Sequence, residues 1–451
     1  MISGRLVLPN SIKRGKLVIQ DGVISDIVGM NSSVRADEHV DADEGFILPG
    51  VVDSHVHFRD PGNTEAEDFE TGTRAAAAGG VTTVIDMPNT DPWVTSRGVF
   101  QDKKAHLENR SHVDFGLYGA IAEPDVSQVK GLAEAGASSL EAFTAGASEE
   151  HLLYDDFKIL RSLETIRKSE QLIGFYSENH SIWRAMSNQL RNSIGPYGKV
   201  MGQAKPPFSE ESMVARILAL NENPKARVIL RQISVYCAID IATFFRRRGQ
   251  PIRIEVCTHH LVLTQKDADR LRGFGKISPP LRAPDQVRDL WSAISNGSVD
   301  MISSDHSPHT SSQKSTDNII DCPPGFPGVQ TSLSLMLNEV AKGKLSLPRL
   351  SQLMSTNPAK VFGLYPEKGA LIKGSRADIT IVDLKRSLKI TGAKLHHKCG
   401  WTPYENMTVK GKVTHTILGG NIISIDAEIV SPPRGKFIKP TQSRAKKSWK
   451  S

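Results

Sequence analysis

The sequence predicts an α/β fold: a TIM-type (β/α)8 barrel carrying a small β-sandwich domain formed by both chain ends. Three observations lead to it. Apolar runs of strand length alternate with helix-like stretches through the middle of the chain, and eight such runs can be counted. Polar, chemistry-bearing residues recur just after several of these runs, where the C-terminal ends of barrel strands would lie. Short alternating segments separated by turns flank the middle on both sides, as strands of one small β domain would.

The elements follow in order. Residues 1–48 hold the alternating runs Arg5–Leu8, Lys16–Gln20 and Val23–Val28, the first part of the sandwich. Residues 49–368 hold the barrel. Its strands are expected at Val51–Val56, Val81–Met87, Phe115–Ala120, Ser139–Phe143, Leu172–Ser177, Val228–Ile233, Ile252–Val256 and Met301–Ser304. Helix-like stretches such as Glu67–Ala78 and Ser209–Asn221 lie between them. A doubly wound sheet is the competing arrangement. Polar candidates at the ends of many different strands favour the barrel. Residues 369–430, with Asp378–Val382, Val409–Thr416 and Asn421–Ile425, form the second part of the sandwich.

Composition narrows the class. Of 451 residues, 39% are hydrophobic and 23% charged, the balance of a globular enzyme rather than a disordered chain. No run of 18 apolar residues is present, so no membrane span is expected. The segment MISGRLVLPNSIKRGKLVIQDG reads as a strand pair with a turn, not as a signal peptide. Cys237, Cys257, Cys322 and Cys399 are widely spaced and form no CxxC pair, which fits a reduced, cytoplasmic setting. The net charge of +7 is carried by residues 431–451, which hold seven basic and no acidic residues. The body is therefore close to neutral, and its charge says nothing about a ligand. Of the two readings of this tail, an arm for nucleic acid or a solvated disordered end, the second is favoured.

Three motifs carry chemistry. The sharpest is Asp53-Ser-His55-Val-His57-Phe-Arg59-Asp-Pro61-Gly62 after the apolar run FILPGVV. Histidines at i and i+2 of a strand share a face and can aim two imidazoles at one metal ion. A lone histidine pair of this kind is weak evidence; at the end of a buried strand it is strong. Arg59 shares that face, where a guanidinium can grip a carboxylate with two hydrogen bonds. The second motif is Ser303-Ser304-Asp305-His306-Ser-Pro308-His309. Asp305, delivered by a buried strand, can ligate a metal and take a proton from water. The third is Met87-Pro88-Asn89-Thr90, whose Asn89 offers a donor and an acceptor; alone, Pro-Asn-Thr would read as a turn.

Taken with Pro279-Pro-Leu-Arg282, the Pro324-Gly325-Phe-Pro-Gly328 loop and Asn357-Pro-Ala-Lys-Val-Phe-Gly-Leu364, these motifs resemble dihydroorotase, within the amidohydrolase superfamily. The resemblance covers the chain to about residue 430. Allantoinases and hydantoinases share the fold, but Arg-Asp-Pro-Gly after the histidine pair and Pro-Asn-Thr after the second strand look more like dihydroorotase. The resemblance implies reversible cyclisation of N-carbamoyl-L-aspartate to L-dihydroorotate in de novo pyrimidine synthesis, through a metal-bound hydroxide. It implies His55, His57 and Asp305 as metal ligands, with Asp305 also the general base. It implies His57, Arg59, Asn89, His309 and the backbone at Pro324 and Gly325 as substrate contacts, with Arg59 and Asn89 on the carboxylate.

This chain also departs from that pattern. Glu141 stands where the family has a bridging carboxylated lysine or aspartate, Tyr176 and Gln232 replace two histidines, and Ser278 replaces an asparagine. Neutral tyrosine and an amide are poor zinc ligands. The expectation is one zinc ion per chain, held by His55, His57 and Asp305 with Glu141 assisting. His180 could stand in for a lost ligand, although a helix-surface histidine is the simpler reading, and His259 and His260 are read as structural. Expected partners are the small-molecule substrate and either a second copy of the chain or aspartate transcarbamoylase, with no membrane and no nucleic acid. A catalytically silent relative, kept as a structural or regulatory partner, is the competing reading.

Overall fold

A computed structural model describes residues 1–193, 195–316 and 318–449. Eight parallel strands form the barrel: Val51–Val56, Val81–Asp86, Asp114–Leu117 continued by Gly119–Ala120, Leu140–Phe143, Leu172–Tyr176, Arg227–Arg231, Ile252–Cys257 and Met301–Ser303. The ring closes where Val56 bridges His306 in parallel and His57 N–H donates to His306 O at 2.7 Å. Each strand lies within a few residues of its expected place. The first two strands are buried at every position, which is why they read as unbroken apolar runs rather than alternating ones.

The helices follow from local chemistry. The first, Phe69–Ala78, starts at Asp68, whose carboxylate accepts from Thr71 N–H while the Thr71 hydroxyl accepts from Asp68 N–H. This reciprocal pair satisfies two amides left free at a helix start. Its alanine run, Ala75–Ala78, packs fully buried on the barrel. The helix expected at Ser209–Asn221 spans Pro207–Leu220, with proline in its first turn.

Both chain ends build the β domain. Its strands run in the order Glu428–Ile429, Asn421–Ile425, Thr408–Leu418, Ile379–Lys389, Val40–Pro49, Ile2–Leu8, Ser11–Gln20 and Val23–Val28. All neighbours are antiparallel except Ile2–Leu8 against Val40–Pro49. The sheet folds back on itself: Ala377 N–H donates to Gly22 O at 2.8 Å and Gly374 N–H to Ile24 O at 2.9 Å. Ile2, Leu6, Leu17, Ile24, Ile47, Ile379, Ile381 and Ile417 fill the space between. Among the described residues, no helix is long and apolar enough to cross a membrane. All four cysteines are free thiols.

The tail corrects an expectation. Residues 431–449 are not a disordered end but a strap laid on the barrel. Lys436 N–H donates to the Asp114 carboxylate at 2.8 Å, Phe115 N–H to Lys436 O at 3.0 Å and Ile438 N–H to Phe115 O at 2.8 Å. The Phe437 ring meets Phe100 and Phe115 edge-on. Beyond the helix Gln442–Ser448, Trp449 is 9% exposed, donates from Nε1 to Val361 O at 3.2 Å and lies under the Arg253 guanidinium. Net charge concealed three apolar anchors, the adjacent Phe437 and Ile438 and, eleven residues on, Trp449. We therefore expect Trp449→Ala to cost about 3 kcal/mol in a denaturant titration, the range for truncating a buried aromatic. Deletion after Val430 should lower the melting temperature further; an unchanged value for both would show that the strap is idle.

Candidate active site

The site lies at the C-terminal ends of the barrel strands. His55 is the penultimate residue of the first strand and His57 follows its end; Asp305 follows the eighth. Barrel closure brings them together: Asp305 Oδ1 is 3.4 Å from His55 Nε2 and 3.3 Å from His57 Nε2, and all three side chains are buried. Three residues here hold left-handed backbone without being glycine: Arg59 at φ 63°, Gln232 at φ 54° and Asp305 at φ 47°. Such conformations cost energy and persist where the surroundings enforce them.

Each histidine is aimed by a partner on its other nitrogen. His55 Nδ1 lies 2.7 Å from Glu255 Oε1, and His57 Nδ1 lies 2.7 Å from Asn89 Oδ1. Both partners are acceptors, so each Nδ1 carries a proton, and each Nε2 faces Asp305, donating to it when the ring is protonated and offering a lone pair when a metal ion takes the proton's place. Burial works against ionisation of Asp305, yet His55 and His57 beside it hold its pKa down at about 2. It is a carboxylate at neutral pH.

The other expected residues fall around a cleft of about 250 Å³. The Arg59 guanidinium is half-buried and donates to the Ser307 hydroxyl at 2.6 Å. His309 is neutral, because burial and then the nearby Arg59 push its pKa down to about 3; its Nε2 donates to Pro324 O at 3.0 Å. Gly325 is required by space: a Cβ there would meet Ser307 O at 2.0 Å. Asn89 does more than face the cleft, since its oxygen is committed to His57 and its amide N–H groups remain for a ligand.

Glu141 also reaches the cleft but stands outside the His55–His57–Asp305 cluster. Both of its oxygens are held by Arg231, from Nε at 3.1 Å and Nη2 at 2.7 Å. The Tyr176 ring and Gln232 line the same wall. The Tyr176 hydroxyl donates to Glu178 and accepts from Lys205 Nζ at 2.9 Å. His180 is not drawn in; it stacks on Tyr154 with ring centres 4.6 Å apart, at the start of the helix His180–Leu190. Cys257, His259 and His260 form a second buried convergence of ligand types, with His260 Nε2 donating to Pro279 O at 3.0 Å.

Sequence reasoning missed Glu255, Arg231 and Asp86. Glu255 and Arg231 are charges inside otherwise apolar barrel strands, and that anomaly was the available signal. Asp86 accepts from Phe58 N–H at 2.9 Å and from Lys103 Nζ at 2.7 Å, which anchors the loop that carries Arg59.

Two imidazole Nε2 atoms, each oriented from behind, and one carboxylate oxygen, mutually within 4.8 Å, fit a divalent metal ion. Glu255→Gln should therefore weaken metal binding by about 10–100-fold, the usual effect of losing the group behind a ligating histidine. A metal titration of the purified variant checks this, and unchanged affinity would remove Glu255 from the site.

Comparisons with known proteins agree with this geometry. The amidohydrolase family profile matches residues 46–151 and 221–423. The chain is 33% identical to a dihydroorotase of Methanosarcina acetivorans, over 98% of this chain and 95% of the other. It is 32% identical to an allantoinase of Deinococcus radiodurans, over 96% and 97%, and 31% identical to an L-hydantoinase of Paenarthrobacter aurescens, over 98% of each. Among solved structures, L-hydantoinase (dihydropyrimidinase) from Arthrobacter aurescens superposes with a TM-score of 0.93 at 30% identity, covering 97% of this chain and 99% of that one. The chain belongs to the amidohydrolase family, and it is a metal-dependent cyclic amidohydrolase.

Proposed function

We propose that this protein is a dihydroorotase, interconverting N-carbamoyl-L-aspartate and L-dihydroorotate with one zinc ion per chain. The observation that carries the reading is Arg59. Its guanidinium opens on the cleft, and its hydrogen-bond partner there is the Ser307 hydroxyl rather than a carboxylate. The nearest acids are already engaged: Asp86 with Lys103 at 2.7 Å, and Asp305 with the two histidines. A cation left with a neutral partner in a cleft favours an anionic ligand, and a planar guanidinium favours a carboxylate. Dihydroorotate carries a carboxylate on its ring; hydantoin and allantoin do not.

The chain's groups divide the work. Arg59 grips the substrate carboxylate, with the Asn89 amide beside it. His55, His57 and Asp305 are the residues that would hold the metal, which when bound supplies Lewis-acid activation of water. Ring opening consumes one water: an oxygen–carbon bond forms at the ring amide carbonyl, the carbon–nitrogen bond breaks, and one proton passes from water to the leaving nitrogen. Asp305, ionised and next to the cleft, is the base placed to carry that proton. Neutral His309 and the backbone at Gly325 border the ring.

The competing reading, a silent partner protein, draws on Tyr176, Gln232 and the engaged Glu141. Ring opening of dihydroorotate, hydantoin and allantoin by purified protein, with metal content measured on the same sample, separates the readings. Turnover of dihydroorotate alone is expected. Turnover of hydantoin or allantoin instead would overturn the substrate, and neither metal nor turnover would favour the silent protein. Arg59→Ala should lower kcat/KM for dihydroorotate by about 2–4 kcal/mol of transition-state binding while leaving metal content intact. Unchanged kinetics would sink the role given to Arg59.

A further inference from the structure

We infer that Arg231 is a built-in cation of this site: it holds Glu141 and Glu255 so fully that Glu141 does not ligate metal and the cleft takes a single divalent ion at His55, His57 and Asp305. The inference rests on the reading that this cluster binds metal, and it concerns what the opposite wall does.

Arg231 ends the sixth barrel strand, and its side chain is 1% exposed. From there it spans the barrel interior. Nε and Nη2 meet the two oxygens of Glu141 on the fourth strand, and Nη1 meets Glu255 Oε2 on the seventh at 2.7 Å. The guanidinium lies over the Tyr118 ring, 4.9 Å from its centre. A buried carboxylate must be neutralised, and a guanidinium with two-point contacts does so without water. On the side away from Arg231, Glu141 is closely packed. It packs against Gly174 of the fifth strand, where a Cβ would sit 2.1 Å from its Oε2.

The same guanidinium reaches the metal cluster from behind. Glu255, held by Arg231 through Oε2, accepts from His55 Nδ1 through Oε1 at 2.7 Å. The order Arg231, Glu255, His55 therefore sets the direction of one ligand. On the cleft side, Tyr176 and Gln232 add no anionic or imidazole ligand, and Tyr176 is itself bonded to Glu178 and Lys205. The wall that would need a second divalent ion already carries its positive charge on the chain. Arg231 is thus a positioning residue, not a catalytic one.

Titration of metal-free protein with Co²⁺, followed by visible absorbance and by elemental analysis after desalting, tests this. Wild type should saturate at about one equivalent, since three protein ligands suffice for one ion. Glu141→Gln keeps the shape and an oxygen for Arg231, so it should bind about one equivalent with the same spectrum and an affinity within about threefold, whereas loss of a true ligand's support costs about 10–100-fold. Arg231→Met leaves Glu141 and Glu255 without a cation and should take up a further equivalent; Arg231→Lys should not. Two equivalents in wild type, or loss of metal in Glu141→Gln, overturns this inference alone and leaves the metal reading standing. No cobalt bound by wild type overturns both. If Arg231→Met fails to fold, as circular dichroism would show, the Glu141→Gln arm still decides.

Discussion

A single hydrogen bond, His57 N–H to His306 O at 2.7 Å, marks the constraint on which the site depends. It joins the first barrel strand to the eighth and so sets His55 and His57 against Asp305, some 250 positions away in sequence. His306 is itself pinned. Its Nδ1 accepts from Gly328 N–H at 3.0 Å, so its Nε2 carries the proton and points to Glu67 Oε2 at 3.1 Å. A histidine fixed on both nitrogens cannot rotate to release the seam. The metal cluster is thus a consequence of ring closure, and its precision comes from a residue that never faces the cleft.

Much of this architecture was legible. The barrel strands are long apolar runs, and burial on both faces leaves that mark in sequence whatever the loops do. The histidine pair was legible for a related reason: a strand's period of two makes i and i+2 neighbours on one face. The carboxylate clamp at Arg59 rested on resemblance, and the sequence could not show that Ser307 would be its partner. Arg231 carries no motif of its own and stands next to Gln232, the residue that takes a histidine's place. The residue that reorganises the wall precedes it by one, and only the closed ring, which lets the sixth strand reach inward to the fourth and seventh, shows that its guanidinium lies between two glutamates. Composition misled at the tail. Seven basic residues in a segment of 21 read as solvated, yet docking depends on three apolar side chains and backbone pairing to Phe115, to which net charge is blind.

Two arginines at the ends of barrel strands or just beyond them show how partners, not residue type, decide a role. Arg231 is saturated: its charge is met by two carboxylates and is spent inside the protein. Arg59 has a hydroxyl, and its charge remains available at the cleft. Exchanging their surroundings would exchange their functions. The same reasoning separates the acids. Glu141 and Glu255 are balanced by Arg231, whereas Asp305 leans on two imidazoles that would share their lone pairs with a metal. A buried carboxylate that faces only imidazoles needs a positive charge more than one already paired with a guanidinium. That asymmetry directs a cation to one side of the cleft and a substrate carboxylate to Arg59, and the scissile ring of a substrate held by both would lie between them, beside Asp305.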